Sequence, residues 1–243
     1  MNLSIRSVPF FAHLACALAG LLLAGCAGTQ PSAPPQASSS TAAKAAAPAS
    51  TVPAPGKPFP QTHDWVSLFD GKTLTGWTIS DFAGAGAVRT DNERITLESG
   101  VMTGVTWTND IPRMNFEVEL EAMRVSGSDF FCALTFPVAT NPCTLVVGGW
   151  GGGVVGLSSL DGEDAANNET TKYMNFENGK WYKIRLRVVP AAIQAWINDE
   201  KLVDVNTTDK RLSIRIEVEP SVPLGIATWS TTGAIRNIRV RRL

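Results

Sequence analysis

The residues able to do chemistry in this 243-residue chain are carboxylates. There are two histidines, His13 in an apolar N-terminal run and His63 further on. No Ser-His-Asp or Cys-His pair and no histidine-built zinc site can be assembled from them. No G-x-S-x-G motif occurs, and Gly148–Gly153 lacks the Lys and the helix that follow a phosphate-cradling loop. The densest acidic stretch is Asp161-Gly162-Glu163-Asp164-Ala165-Ala166-Asn167-Asn168-Glu169. Cleavage at a sugar ring commonly uses an acid and a base about 5–10 Å apart, and Glu163, Asp164 and Glu169 are candidates for those roles. The same oxygen-rich loop suits a hard cation such as calcium, although its spacing is not that of an EF-hand. No other cofactor is expected. Asp129, between Gly127-Ser128 and Phe130-Phe131, is a further catalytic candidate because the neighbouring rings would shield it from water. The bland readings are a solvated acidic loop and a turn residue.

Flat aromatic rings cover the C–H face of a pyranose. Trp107, Trp150 and Trp229 are therefore candidate stacking residues, with Arg113 and Asn168 as candidate polar contacts to a carbohydrate. Trp65, Trp77, Trp181 and Trp196 sit in structural motifs and are read as core. Glu117, Glu119 and Glu121 share one strand face, which suits either a catalytic trio or a wet surface.

These residues need a scaffold, and the pattern after Trp65 supplies strands. Phe116, Val118 and Leu120 alternate with acids, Tyr182 to Val188 with basic residues, and Ile238 and Val240 with arginines. Ile214, Ile216 and Val218 alternate with Arg215, Glu217 and Glu219 and read as another strand. Asp70-Gly71, Ser99-Gly100, Asn178-Gly179 and Asn198-Asp199 mark turns. No amphipathic helical stretch is present to cross over a parallel sheet. The body is expected to be all-β, about a dozen short strands in a two-sheet antiparallel sandwich.

Charge and composition divide the chain. Formal net charge is −1, which argues against nucleic acid as a partner. Residues 1–62 hold three of the 21 basic residues and none of the 22 acidic ones, so the remainder carries 18 against 22. Residues 1–25 read as a signal peptide: a basic start through Arg6, an apolar run over Val8–Leu23, then Leu23-Ala24-Gly25-Cys26. That last group resembles a lipobox, with Cys26 acylated as the mature N-terminus. Ala27 rather than Asp after it favours the outer membrane. Residues 26–62, rich in Ala, Pro, Ser and Thr, read as a tether too apolar-poor to fold. The folded domain is expected over 63–243. Within it Cys132 and Cys143 read as a disulfide, as befits an exported chain, with two buried free thiols as the alternative.

Trp65-Val66-Ser67-Leu68-Phe69-Asp70-Gly71-Lys72-Thr73-Leu74-Thr75-Gly76-Trp77 resembles the opening signature of the bacterial 3-keto-disaccharide hydrolase domain family. Asn115–Glu121, Gly179–Ile184, the Trp196-Ile197-Asn198 hairpin and the closing Ile235–Leu243 are similar to later family segments. The family resembles concanavalin A-like lectins and glucanases, which implies a jelly roll. The middle departs from the family: Gly127-Ser128-Asp129 stands where members carry an Asn-Ser segment, and Leu145–Gly153 replaces a Gln-containing strand. The resemblance implies cleavage of glycosides oxidised at C3. Their keto group acidifies the C2 proton, so a base can expel the C1 substituent by elimination, as an alternative to direct hydrolysis. The expected function is thus an envelope-anchored glycoside hydrolase using carboxylates. The rival reading is a lectin-like module that binds carbohydrate and turns nothing over, and a purely structural envelope protein is a third.

Overall fold

The computed structural model describes Gly56 and residues 58–243. The leader, Cys26 and most of the tether lie outside the described residues. The described strands are β1 (Val66–Ser67), β2 (Trp77–Ile79), β3 (Val88–Asp91), β4 (Arg94–Leu97), β5 (Met102–Trp107), β6 (Phe116–Ser126), β7 (Cys132–Val138), β8 (Asn141–Gly149), β9 (Val154–Ser158), β10 (Lys172–Tyr173), β11 (Trp181–Val189), β12 (Ala192–Ile197), β13 (Glu200–Asn206), β14 (Gly225–Trp229) and β15 (Thr232–Arg242).

They form the expected two-sheet antiparallel jelly-roll sandwich. One sheet has eight strands in the order β13-β12-β11-β6-β15-β4-β3, with β1 also paired to β15. The other has seven, in the order β10-β9-β8-β7-β14-β5-β2. The period of two in the sequence decides which side chains meet between the sheets. Phe116, Val118, Leu120 and Ala122 of β6 pair in register with Val188, Leu186, Ile184 and Tyr182 of β11, and all are buried. Leu134 and Phe136 of β7, with Leu145 and Val147 of β8, line the opposing sheet.

Four expectations change. First, Cys132 and Cys143 are free and buried, not bridged. Cys132 stands opposite Val147, and Cys143 opposite Phe136, so they are four residues apart along the ladder. That is roughly 13 Å at about 3.3 Å per residue, beyond the reach of a disulfide. Burial pushes both thiols up to about 12, so they behave as small core hydrophobes. Second, Ile216–Ser221 is a 3-10 helix rather than a strand, and Ile216 is 80 % exposed. Pro220 within it and Pro223 after it cannot donate to a ladder. Third, the expected tether reaches into the body: Phe59 is buried in the main core, and its amide donates to Asp110 Oδ2 at 3.1 Å.

Fourth, three of the tryptophans read as core lie on the outer face of the eight-stranded sheet. Arg239 and Arg241 stack on Trp65, Arg185 on Trp196 and Arg236 on Trp181. The same arginines hold the Glu trio. Arg241 pairs with Glu117, Arg239 with Glu119, and Arg236 with Glu121 at 2.6 Å. Glu117 is only 2 % exposed under this lattice. The trio is therefore engaged in cross-strand ion pairs, beneath arginines that stay about a third or more exposed to solvent. Trp77 alone of the four is buried, and its indole N–H donates to the Leu68 carbonyl at 2.7 Å.

Burial opposes ionisation of Glu121, but hydrogen bonds from Asn237 and Arg236 outweigh it and hold its carboxyl below the usual range. Its folded-state pKa is depressed, so its contribution is complete above the ordinary Glu pKa and disappears as pH falls through the folded value. Glu121→Gln should therefore be less stable than the parent in urea titrations at pH 7. That difference should shrink to nothing in acid, where both side chains are neutral.

Candidate functional site

The outer face of the seven-stranded sheet is built differently from that of its partner. Gly104, Ala227, Ala133, Val146 and Gly156 run in register across β5, β14, β7, β8 and β9. The next row is Thr106, Gly225, Thr135, Thr144 and Ser158. Such small side chains let other chain segments settle directly on the strands. A Cβ on Gly104 would stand 2.9 Å from the Phe82 ring, one on Gly156 2.8 Å from the Ala165 carbonyl, and one on Gly225 2.6 Å from that of Ser221. Between these covers remains a cavity of about 190 Å³.

Its floor is Ala133, Thr144, Val146 and Ser158. Thr144 Oγ1 lies 2.8 Å from Thr135 Oγ1, while the Ser158 hydroxyl has a 3.5 Å neighbour in the Ser159 hydroxyl. One wall carries Asp129, Phe130, Trp150 and Trp229, and the other Arg215, Glu217 and Val218. The first rises near Ala133, and the second follows the crossover segment that lies over Gly225, Thr135's neighbour.

Asp129 is fixed by its surroundings. Oδ1 accepts from the Phe130 amide at 2.7 Å, and Oδ2 from the Gly151 amide at 3.3 Å. Trp150 is 43 % exposed and sits in the left-handed region at φ 48°, followed by Gly151 and Gly152 at φ 86° and 106°. Glycine adopts such angles freely, whereas a tryptophan does so at a cost that its surroundings must sustain. Opposite, Arg215 Nη2 donates to Glu217 Oε1 at 2.7 Å, and Nη1 reaches Asp164 Oδ2 at 3.4 Å. The hydrogen bond from Arg215 holds the Glu217 carboxyl below its usual range, and the guanidinium is raised in turn. Glu217 is therefore a carboxylate beside a permanent cation. Being ionised it can accept a proton, though as a weaker base than a free glutamate, and the cation can stabilise an oxygen on which negative charge develops.

Of the residues singled out in the sequence, Asp129, Trp150 and Trp229 meet in this cavity. Asp164 stands behind Arg215. Glu169 is turned to Lys210 at 2.7 Å, which also takes Asp161 at 3.3 Å. Glu163 is exposed, and its backbone closes a turn with Leu160. Among the described residues no group of three or more His, Cys, Asp or Glu side chains is placed to hold a metal ion. Trp107 is wholly buried and packs edge-on against Trp77 at 5.3 Å, so it offers no face to a sugar. Arg113 is exposed at the other end of β7, where its carbonyl accepts from the Ala139 amide. Glu217, Arg215 and Ser158 were missed. The available signal at Glu217 was the pair Pro220 and Pro223 directly after it, which mark a break in any ladder there.

Asn168 is a staple for the acidic loop. Its Nδ2 donates to the carbonyls of Leu157, Glu163 and Asp164 at 2.7, 3.1 and 2.7 Å, and its Oδ1 accepts from Thr170 N and Oγ1. Asn168→Ala should cost about 1–3 kcal/mol by thermal or urea unfolding.

The crystal structure of a putative glycosyl hydrolase from Parabacteroides distasonis superposes with a TM-score of 0.48 at 11 % identity, covering 74 % of this chain and 94 % of that one. The carbohydrate binding module CBM66 from Bacillus subtilis gives 0.46 at 16 % identity, covering 69 % and 96 %. The Crh5 transglycosylase in complex with NAG gives 0.51 at 11 % identity, covering 73 % and 83 %, and this likeness supports the fold. No curated protein matches the chain. A family model described as the 3-keto-alpha-glucoside-1,2-lyase-like domain matches residues 64–241. The chain belongs to that family.

Proposed function

We propose that this protein is an outer-membrane lipoprotein, anchored through acylated Cys26, whose body cleaves 3-keto-glycosides by elimination. The observation that carries the chemistry is the pairing of Glu217 with Arg215 on one wall of a cavity whose other wall bears Asp129 and two tryptophans. The family's description as lyase-like points the same way. The anchoring rests on the basic start, the apolar run and Leu23-Ala24-Gly25-Cys26.

A cavity of about 190 Å³ is smaller than the roughly 300–1,000 Å³ typical of sites for larger ligands, and suits one sugar ring with its substituent outside. Trp150 and Trp229 offer apolar faces to the ring, and Asp129 and Ser158 offer acceptors to its hydroxyls. Glu217 takes the C2 proton. The bonding pair moves toward C3, and the charge rests on the C3 oxygen beside Arg215. When the C3 carbonyl re-forms, C1 and C2 become doubly bonded and the C1–O bond breaks with its pair on the leaving oxygen. That oxygen takes a proton from water at the open mouth, and Glu217 returns its proton to water. Later addition of water across the double bond yields the free 3-keto sugar, so the net outcome is hydrolysis without a glycosyl-enzyme intermediate.

The test incubates the protein with an aryl 3-keto-glucoside and follows both aglycone release and the ultraviolet absorbance of the conjugated ketone. Glu217→Gln should lower release by about 10²–10⁴-fold while the sugar still binds. Release at the parent rate by that variant overturns the assignment of Glu217. Binding by the parent protein without any release replaces the reading with that of a lectin-like module.

A further inference from the structure

The inward-facing row of β6 runs Phe116, Val118, Leu120, Ala122 and then, at the next inward position, Arg124. The period of two asks for an apolar residue there. Arg124 is 5 % exposed, and among the described residues no carboxylate lies within ion-pair distance of it. Burying a cation without an anionic partner is costly unless every donor is met. Here four of the five N–H groups are met by neutral oxygens. Nε donates to Asn178 Oδ1 at 2.8 Å and Nη2 to the Phe176 carbonyl at 2.7 Å. Nη1 is shared between the carbonyls of Gly152 at 3.3 Å and Asp129 at 3.4 Å, and the guanidinium lies over the Phe131 ring.

Two of those acceptors belong to the cavity wall. The Asp129 carbonyl is the backbone of the wall carboxylate itself, and Gly152 closes the turn that holds Trp150 at its left-handed angle. Nη1 alone thus bridges the backbone of both wall loops, while Nε and Nη2 anchor the guanidinium to Asn178 and Phe176. A methionine or leucine at position 124 would fill the row more cheaply but could not bridge the two loops. We infer that Arg124, buried behind the cavity, is the positioning residue that sets Asp129 and Trp150 against the ring bound in front of them. The inference rests on the cavity being the sugar site, as proposed above. A fork of five fixed N–H groups can meet four oxygens in different directions, whereas a lysine ammonium cannot. The exchange is therefore not conservative here.

The test compares Arg124→Lys, Arg124→Gln and Val240→Ala, the last a core truncation on β15 of the eight-stranded sheet that controls for lost stability. Hydrogen exchange is followed in segments 127–131 and 148–153, and KM and kcat are measured separately on a 3-keto-glucoside. Both Arg124 variants should speed exchange in those two segments but not in β11. KM should rise about ten-fold or more with kcat changed far less, because the Glu217 wall is untouched. Val240→Ala should lower the melting temperature without either effect. Unchanged exchange in the two segments overturns the inference, as does a KM shift no larger than that of Val240→Ala. Should the parent protein bind no sugar, the proposed function fails, while the exchange comparison still decides whether Arg124 sets the wall.

Discussion

Ten positions on the outer face of one sheet carry side chains no larger than valine, in two adjacent rows from β5 to β9. An antiparallel sheet with bulky outward residues keeps its loops at arm's length. This one lets the Phe82 ring, the Ala165 carbonyl and Ser221 approach to contact distance, and the gap they leave is the cavity. The room for its walls and its floor hydroxyls follows from that absence of bulk. The constraint is a steric one, and a single large residue in either row would displace a covering segment.

The two outer faces solve the same problem in opposite ways. On the eight-stranded sheet, long side chains lie flat: arginines stack on Trp65, Trp181 and Trp196 while pairing with Glu117, Glu119 and Glu121. Each charge has a neighbour of opposite sign, and the strands are covered by their own side chains. On the seven-stranded sheet the cover is other chain segments, which leaves carboxylates and a guanidinium standing over a floor of small apolar and hydroxyl side chains. In that setting the Arg215–Glu217 pair stays open to solvent and to whatever enters the cavity, because neither group is sealed beneath a stacked layer.

Much of the scaffold was legible in the sequence. Alternation along Phe116–Glu121 and Tyr182–Val188 gave the central strands and their buried faces, because one side of each had to meet the opposing sheet. The same rule misled at Ile214–Val218, where a crossover with prolines imitates a strand pattern, and so hid Glu217. The outward acids of β6 were legible as a row but not as ion-paired, since their partners come from β15, more than a hundred residues later. The cysteines were paired by counting, yet register along the β7–β8 hairpin separates them. Asp129, Trp150 and Trp229 were found by residue type. Which of the acids would gather there was not legible, because it depends on a chain crossing between sheet ends. The small residues of the floor gave no signal at all, being ordinary in composition and meaningful only in register.

In the proposed reaction a sugar ring oxidised at C3 sits between Trp150 and Trp229 on one side and Arg215 and Glu217 on the other. Diffraction from crystals of Glu217→Gln soaked with methyl 3-keto-α-glucoside addresses it directly. The account predicts one ring in the cavity, its C2 within about 3.5 Å of the side chain at position 217 and its C3 oxygen toward Arg215. A ring found against the arginine-stacked face, or an unfilled cavity at saturating sugar, would contradict it.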